Sequence, residues 1–331
     1  MSASPADADL CDFLDETGWA ASTLRSASSI LRLWESFLAK RSVEVLDADH
    51  GDLKAWLAEA SELAGSTRHK RWQVVGAFYG WAATPIPRRS DDPPGAGILE
   101  VNPMSRVRAP HVPASLTARI ASVGDAHLLL EHFARQSRAM RGRGDGERER
   151  ALRNAALVSL MIRSGLRSSD VAGLDLSHLV RDDAGEIVAV VVGGDDGTRT
   201  KNRKRRMAPV VDETPRLLAR YLRARGEAPG PLFVGRASHT LDPDRRMTSR
   251  AVQDVVRRAA VSCGLELSAH DLRRGWTVES ASRGVDRGWI KATAGWGNDQ
   301  MLDRYLGAKR DETAVAAFRA AVGDQRLRHV S

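Results

Sequence analysis

Apolar residues recur at intervals of three and four along the first part of the chain, which is the spacing of amphipathic α-helices. Thr23 is the predicted N-cap of one such helix, and Lys40 and Arg41 close it. A second helix is predicted near residues 53–63. A third follows Thr67, with a basic start and an aromatic second half. Together these segments predict a small helical bundle with a basic surface.

In the second half of the chain, helical spacing gives way once to short runs of β-branched residues. The helix predicted over residues 147–163 is apolar almost all the way round, so we expect it at the centre of a second core. Residues 186–192 and 207–211 predict the two strands of an antiparallel hairpin, with a long polar turn between them. The predicted fold class is therefore mainly α with a small antiparallel β-sheet. Further helices are predicted at residues 125–139, 167–174, 215–226 and 249–263.

Two segments rich in proline and glycine interrupt these patterns. Residues 85–97 form the first, and we interpret it as a loop within the bundle. The second, residues 101–115, has no helical or strand periodicity. We place an interdomain linker there, at residues 109–115, between a helical domain at 1–108 and a second domain at 116–331. A chain of 331 residues is long enough for two such cores.

The composition adds charge to this outline. The formal net charge is +8, and the cationic residues are 43 arginines and only 7 lysines. Because a guanidinium binds phosphate through two parallel hydrogen bonds, this balance favours a polyanionic partner such as nucleic acid. A GC-rich genome also raises the arginine content, so basicity alone leaves that partner open.

Cysteine content and hydropathy indicate the compartment in which the protein is expected to work. Cys11 and Cys263 are too few for a disulfide framework or a cysteine metal cluster. The sequence has no signal-peptide pattern and no apolar run long enough to span a membrane. We therefore expect a cytoplasmic protein.

Residues 268–307 concentrate the candidate chemistry. His270 and Arg273 are three positions apart, so on a helix they share a face. Tyr305 follows Trp296 by nine residues, across a Gly-Asn break that predicts the start of another short helix. A cation, an imidazole, an indole N–H and a phenol are suited to hold a phosphodiester and attack it with the tyrosine oxygen.

Four motifs resemble those of the tyrosine recombinases, the phage integrase family, and the resemblance covers nearly the whole chain. SGLRSSDVAGL resembles the first arginine motif, HDLRR the second, AGW the glycine-histidine element, and DRYLG the tyrosine motif. The resemblance implies a SAM-like helical core-binding domain at 1–108 and an α+β catalytic domain with a tail helix at 116–331. The catalytic residues that it implies are Arg167, Lys201, His270, Arg273, Trp296 and the nucleophile Tyr305, with Asp170 in support.

The resemblance also implies a role for each group. Arg167 and Arg273 would clamp the non-bridging phosphate oxygens and stabilise the charge of the transition state. Asp170 would brace Arg167. His270 would accept the proton of the nucleophile or bind the scissile phosphate. Trp296 would donate one hydrogen bond, because an indole cannot exchange a proton.

The general acid for the leaving 5′ oxygen is implied to be a lysine in the polar turn of the hairpin. Lys201 is the first candidate and Lys204 is its rival. Either lysine would also suit a basic turn that contacts the DNA backbone.

The implied reaction is cleavage and rejoining of double-stranded DNA through a 3′-phosphotyrosyl intermediate and a Holliday junction. It implies no cofactor and no metal. A homotetramer would act on two DNA sites, with an accessory DNA-bending protein as a further partner and a nucleoid-associated location. Residues 311–322 predict an amphipathic tail helix, which would dock either on its own domain or on a neighbouring subunit.

The sequence departs from the family pattern at a few positions. Arg274, Gly275 and Trp276 stand where many relatives have another histidine and an aromatic-threonine pattern, and Asp170 replaces the commoner glutamate. We expect no arm-binding domain, and Trp296 in the histidine position favours a mobile-element integrase. The alternatives are an Xer-type recombinase that resolves chromosome or plasmid dimers, a type IB topoisomerase-like enzyme, and a catalytically silent DNA-binding regulator.

Overall fold

The computed structural model describes residues 5–86, 97–112, 119–140, 145–193, 205–237 and 240–307. The chain divides into two compact units, Met1–Ser115 and Leu116–Ser331. No helix within the described ranges combines the length and the apolar character needed to cross a bilayer.

In the described part of unit 1, four α-helices pack around an aromatic core. Trp34 is fully buried and donates its indole N–H to the Tyr79 hydroxyl at 3.0 Å, and that hydroxyl donates to the Val45 carbonyl at 2.6 Å. These bonds satisfy the polar atoms of two large core side chains. The helices are α1 Pro5–Glu16, α2 Ala21–Ala39, α3 His50–Glu59 and α4 Gly65–Ala82.

The prediction that Thr23 caps the second of these helices is wrong. The helix begins at Ala21, its N-cap is Ala20, and the Thr23 amide bonds the Ala20 carbonyl at 2.7 Å. Thr23 therefore lies inside the first turn. A threonine near a helix start is as compatible with the first turn as with the cap, so the sequence did not fix the boundary.

Part of the proline-rich segment belongs to unit 1. A 3₁₀ helix spans Pro103–Arg106 and is capped by the Asn102 side chain. Met104 and Val107 are buried in the core of the bundle, and the Trp72 indole donates to the Val107 carbonyl at 3.0 Å. These contacts fasten the segment to α4.

Unit 2 is built around the helix Asp145–Ser164, which is buried on nearly every side by three other helices, Val123–Ala139, Thr214–Arg225 and Ala269–Ser282. Capping residues begin several helices of this unit: Ser122 caps the helix Val123–Ala139 and Thr248 caps the helix Ser249–Ser262 through side-chain hydrogen bonds. A 3₁₀ helix spans Leu176–His178. The helices of this unit are α5 Val123–Ala139, α6 Asp145–Ser164, α7 Ser168–Gly173, α8 Thr214–Arg225, α9 Ser249–Ser262, α10 Ala269–Ser282, α11 Arg287–Ala294 and α12 Gln300–Gly307.

The predicted hairpin is present, with an additional strand. β2 Ile187–Val192 pairs antiparallel with β3 Arg206–Pro209, and β1 Leu179–Arg181 pairs with the other edge of β2. A second sheet of β4 Val234–Ala237 and β5 Thr240–Arg246 was not predicted, because β5 reads TLDPDRR and has no strand periodicity. The predicted fold class, mainly helical with small antiparallel sheets, is confirmed.

Candidate active site

Five of the predicted residues meet in unit 2. Arg167 is at the junction of α6 and α7, His270 and Arg273 are on the first turns of α10, Trp296 follows α11, and Tyr305 is on α12. Arg167, His270 and Arg273 line one cleft of about 550 Å³. Polar residues of α9 complete its wall: Ser249, Arg250, Gln253, Asp254 and Arg257.

The start of α10 is held by a reciprocal cap. Asp271 accepts hydrogen bonds from the Ser268 amide at 2.9 Å and from the Ser268 hydroxyl at 2.7 Å, and it pairs with Arg274 at 2.8 Å. Because His270 and Arg273 lie in the turns that this cap begins, their backbone positions are fixed by local sequence.

Tyr305 is buried, with 3% of its surface exposed, and its hydroxyl lies 3.0 Å from Nε2 of His270. The Trp296 ring meets the phenol ring edge-on, with 5.5 Å between centroids. The Arg274 guanidinium lies 5.8 Å from the centre of the same phenol ring. The phenol oxygen therefore has a hydrogen-bond partner that can remove its proton and cations close to its ring.

His270 is prepared to act as an acceptor. Partial desolvation at the cleft wall, followed by the positive charges of Arg274 and Arg273, lowers the pKa of this imidazole below its ordinary value of 6.5. Both effects disfavour the imidazolium. At neutral pH His270 is therefore mainly uncharged and can take a proton from Tyr305.

Arg273 is almost completely enclosed, with 1% of its surface exposed. Its guanidinium donates to the Gly165 carbonyl at 2.7 Å and to the Ala294 carbonyl at 2.6 Å, and it lies 5.0 Å from the Trp296 ring centre. Burial, and then the nearby charge of Arg167, lowers the pKa of Arg273 to about 9. The group remains a cation at neutral pH.

Asp170 contacts Arg167 through the Arg167 backbone amide. Its carboxylate accepts from the backbone N–H of Arg167 at 3.0 Å and from Arg206 at 2.5 Å. Asp170 therefore fixes the backbone at Arg167. The Arg167 guanidinium has no hydrogen-bond partner among the described residues, and it lies near enough to His270 and Arg273 to affect their pKa values.

Two arginines that contact residues of the candidate site were not predicted from the sequence. Arg206 begins β3 and pairs with Asp170, and Arg274 pairs with Asp271 beside the Tyr305 ring. Arg206 is one of five cationic residues in the run KNRKRR, so its sequence context does not distinguish it. Arg274 departs from the family pattern, so the resemblance implied no role for it.

Several predicted features lie outside the described residues. These are Lys201, Lys204 and the tail segment 311–322. The other two tyrosines are core residues of their units: Tyr79 and Tyr221 are fully buried, and burial raises the pKa of Tyr221 to about 12. Within the described ranges no group of three His, Cys, Asp or Glu side chains could hold a metal ion.

Comparisons with known proteins agree with this geometry. The pattern of the Phage integrase family matches residues 143–312, which include every candidate catalytic residue. The chain is 25% identical over 302 residues to tyrosine recombinase XerC of Myxococcus xanthus, covering 88% of each chain. It is 29% identical over 301 residues to XerC of Rhodospirillum centenum, covering 88% of this chain and 78% of that one.

Solved structures match the fold at lower identity. A lambda integrase dimer bound to a COC′ core site aligns with a TM-score of 0.63 and 14% identity, covering 90% of this chain and 94% of that chain. XerH recombinase bound to palindromic difH substrate aligns with a TM-score of 0.62 and 15% identity, covering 82% of this chain and 72% of that chain.

Proposed function

The chain belongs to the Phage integrase family of tyrosine-type site-specific recombinases, and we propose that it cleaves and rejoins double-stranded DNA through a 3′-phosphotyrosyl bond at Tyr305. The observation that carries this proposal is the 3.0 Å contact between the Tyr305 hydroxyl and His270 Nε2, beside a cleft lined by Arg167 and Arg273. The candidate nucleophile and its proton acceptor therefore lie beside two guanidinium groups.

In the proposed cleavage step, the Tyr305 oxygen attacks the scissile phosphorus and the bond to the 5′ oxygen breaks. His270 takes the phenol proton, because a phenol is a poor nucleophile while it keeps that proton. Arg167 and Arg273 neutralise the charge that grows on the non-bridging oxygens. A partner strand's 5′ hydroxyl then attacks the phosphotyrosine and restores both the phosphodiester and the phenol.

We propose that a lysine of the hairpin turn, Lys201 before Lys204, gives its proton to the leaving 5′ oxygen. A guanidinium is a poor proton donor at neutral pH, whereas an ammonium whose pKa responds to its surroundings can serve as a general acid. Trp296 would support the site through its contacts with Arg273 and Tyr305.

Covalent trapping tests the proposal without knowledge of the target sequence. The probe is a pool of duplexes with randomised arms around one 5′-bridging phosphorothiolate, whose thiolate leaves without returning. We expect the full-length protein to form a protease-sensitive adduct with a subset of sequences, which identifies a target duplex. Tyr305→Phe should still bind that duplex and form no adduct. An adduct with Tyr305→Phe would show that the nucleophile is another residue.

Two biological roles fit this chemistry. Integration of a mobile element is the role that Trp296 in the histidine position favours. The Xer-type role, resolution of chromosome or plasmid dimers, is the second candidate, because relatives named XerC match over 88% of the chain. A plasmid with two direct copies of the recovered target discriminates them. Deletion between identical copies supports resolution, and reaction only between two unlike sites supports integration.

The same reagents address the remaining alternatives. A type IB topoisomerase-like enzyme would relax supercoiled DNA as a monomer and yield no exchanged strands. A silent regulator would bind the target duplex and form no adduct in the wild type. We expect adduct formation together with strand exchange.

We also propose that residues 1–108 bind DNA beside the target, joined by a linker at 109–115 to the catalytic domain at 116–331. The support is the basic first half of α4, where the Lys70 ammonium bonds the Ser26 hydroxyl and Arg71 stacks on Trp56. Lys70→Ala should weaken binding of all duplexes similarly and reduce the salt dependence by about one counterion. A change in sequence preference instead would indicate base contact.

For strand exchange we propose a homotetramer on two DNA sites. An apolar cavity of about 590 Å³ in unit 2 opens between α5, α10 and α11, and Trp289 at its edge is 72% exposed. We assign this groove to a neighbouring copy of the chain. Trp289→Ala should leave cleavage of a single target intact and reduce recombination between two targets. Equal recombination rates for wild type and variant would show that this groove is not part of the interface between subunits.

A further inference from the structure

Arg274 is a cation of the candidate site to which the proposed reaction gives no part. It follows Arg273 by one position, about 100° round the helix, and it is not among the residues that line the cleft shared by Arg167 and Arg273. It lies four positions after His270, so these two side chains share a face of α10. That face meets α12: the imidazole is at the Tyr305 hydroxyl, and the Arg274 guanidinium is 5.8 Å from the centre of the phenol ring.

The position of the Arg274 guanidinium is set by a carboxylate that is itself held in place. Nη1 of Arg274 donates to Oδ1 of Asp271 at 2.8 Å. The other oxygen of Asp271 accepts from the amide and the hydroxyl of Ser268, the N-cap of α10. Only 22% of the Arg274 side chain and 11% of the Asp271 side chain are exposed. A cation held largely out of water interacts more strongly with a ring than one that is free in solvent.

Hydrogen bonds do not fully account for the placement of Arg274. Its Nη1 also donates to the Arg119 carbonyl in a long contact of 3.4 Å, but its Nε–H is buried and has no acceptor among the described residues. A buried donor without an acceptor is unfavourable, so another contact has to stabilise this guanidinium. The face of an aromatic ring has negative potential and attracts a cation that has lost water. The Tyr305 ring supplies that face.

The contact gains importance when the phenol reacts. Tyr305 is 3% exposed, with the Trp296 ring edge-on at 5.5 Å and His270 Nε2 at 3.0 Å from the hydroxyl. When the phenol proton passes to His270, negative charge is shared between the oxygen and the ring, and the attraction of Arg274 for the ring grows. An interaction that is stronger in the reacting state than in the resting state accelerates the reaction.

The charge of Arg274 also acts on the base. After desolvation, it is the largest of the effects that lower the pKa of His270, and it therefore disfavours the imidazolium. This effect opposes the proton transfer, whereas the contact with the ring promotes it. The two effects can be separated by experiment, because only the contact with the ring depends on the electron density of the ring.

We propose that Arg274 is a positioning residue for the nucleophile, which holds the Tyr305 ring by a cation–π contact and stabilises the negative charge that the ring gains as the phenol proton leaves. The inference rests on the proposed phosphotyrosyl chemistry. The proton goes to His270, and the charge passes to the phosphate as the bond from the phenol oxygen to phosphorus forms and the bond to the 5′ oxygen breaks. Arg274 thereby acts on the attacking group, and Arg167 and Arg273 act on the phosphate.

Progressive fluorination of the nucleophile tests this. Tyrosine or mono-, di- or trifluorotyrosine is placed at position 305 of the full-length protein by amber suppression, in wild type and in Arg274→Met. Single-turnover adduct formation is measured at neutral pH on the recovered target duplex, with the 5′-bridging phosphorothiolate in place of the ordinary phosphodiester. With tyrosine we expect Arg274→Met to lower the rate constant about 3- to 30-fold, the effect of losing a cation–π contact.

The ratio of the wild-type to the Arg274→Met rate constant carries the result. Fluorine draws electron density from the ring and weakens the cation–π contact, and a fluorinated phenol also gives up its proton more readily. Both effects make the cation less important, so the ratio should fall towards one with each added fluorine. Fluorination also alters the nucleophile itself, but that change is common to both proteins and cancels in the ratio.

Two further variants serve as controls. Arg274→Lys keeps the charge without the planar fork, so its rate constant should lie between those of wild type and Arg274→Met. Arg150→Met removes another partly buried arginine that pairs with an acid three residues earlier on its helix, Glu147 on α6. We expect its rate constant to stay within about twofold of the wild type for every nucleophile, because an ion pair of this kind has a small effect.

Each outcome has one meaning. A loss by the same factor for all four nucleophiles would show that Arg274 serves only the local structure, and no loss for any of them would show that it has no part in the reaction; either result would overturn the proposal. If Arg274→Met does not fold, the ratio for Arg274→Lys is judged in the same way. Failure of the wild type with ordinary tyrosine to form any adduct would instead refute the proposed function.

Discussion

Gly165 allows a tryptophan to pack against the backbone that leads into the candidate site. The residue has φ +61°, and a Cβ there would lie 2.1 Å from Cε3 of Trp276, which is far closer than van der Waals contact allows. Its carbonyl also accepts the Arg273 hydrogen bond. Gly165→Ala would therefore combine an unfavourable backbone conformation with displacement of a large ring.

The cost can be worked out from these contacts. A side chain in the left-handed region costs about 1–2 kcal/mol, and overpacking a fitted site adds about 1–3 kcal/mol. We expect Gly165→Ala to reduce the free energy of unfolding of unit 2 by about 2–5 kcal/mol. Gly264→Ala is the matched control, because Gly264 follows α9 with φ +70° and nothing lies within 4 Å of its Cβ position. It should cost only the backbone contribution, about 1–2 kcal/mol.

Scanning calorimetry of the two variants measures the difference. A domain of this size loses about 2–4 °C in Tm for each kcal/mol, so Gly165→Ala should shift the transition about twice as far as Gly264→Ala or more. Adding Trp276→Leu should relieve the clash, so the double variant with Gly165→Ala should be less destabilised than the two single effects added together. Equal shifts for the two glycine variants, or strict additivity with Trp276→Leu, would refute this account of the packing.

Three further outcomes follow from the site. In a pH–rate profile, the rate of adduct formation should fall at acid pH with a midpoint below 6.5, because only the neutral imidazole of His270 accepts a proton. Desolvation, and then the charge of Arg274, lowers the pKa of this imidazole. Arg274→Ala should therefore move the midpoint to higher pH. Trp296→Phe should keep most of the cleavage rate if ring packing is its role, and a large loss in single-turnover assays would indicate a hydrogen bond from the indole. Lys201→Ala and Lys204→Ala identify the general acid: the variant that lacks it should form adduct slowly on the ordinary duplex and at the wild-type rate on the phosphorothiolate duplex, whose leaving group needs no proton. If the phosphorothiolate restores the rate of neither variant, neither lysine is the general acid.

The sequence was most informative where function constrains local spacing. The three-residue interval between His270 and Arg273 predicted a shared helix face, and both residues line the same cleft. The helix that carries Tyr305 was expected after the Gly-Asn break, and α12 begins at Gln300. Such intervals lie within one or two turns, so the helical period alone determines which side chains meet.

Contacts between distant segments could not be predicted in this way. Asp170 was expected to support Arg167, but the sequence did not indicate that its carboxylate also pairs with Arg206, 36 residues further along the chain. Sequence spacing carries no information about which cation of a basic run reaches a given carboxylate. The strand β5 was missed for a related reason: its pairing with β4 overrides a local composition that is typical of a turn.

The ion pairs at the candidate site, and the arginines that make none, explain how the site can bind a transition state more tightly than the DNA substrate. Among the described residues, Asp170 balances Arg206, and Asp271 balances Arg274. Arg167 and Arg273 make no ion pair with a carboxylate among the same residues, and Arg250 and Arg257 share the single carboxylate of Asp254 in the cleft wall, so positive charge exceeds negative charge in the cleft. A phosphodiester carries one negative charge, and the pentacoordinate transition state carries about two. The match improves as the bond to Tyr305 forms, and an interaction that is stronger in the transition state than in the ground state is what accelerates a reaction.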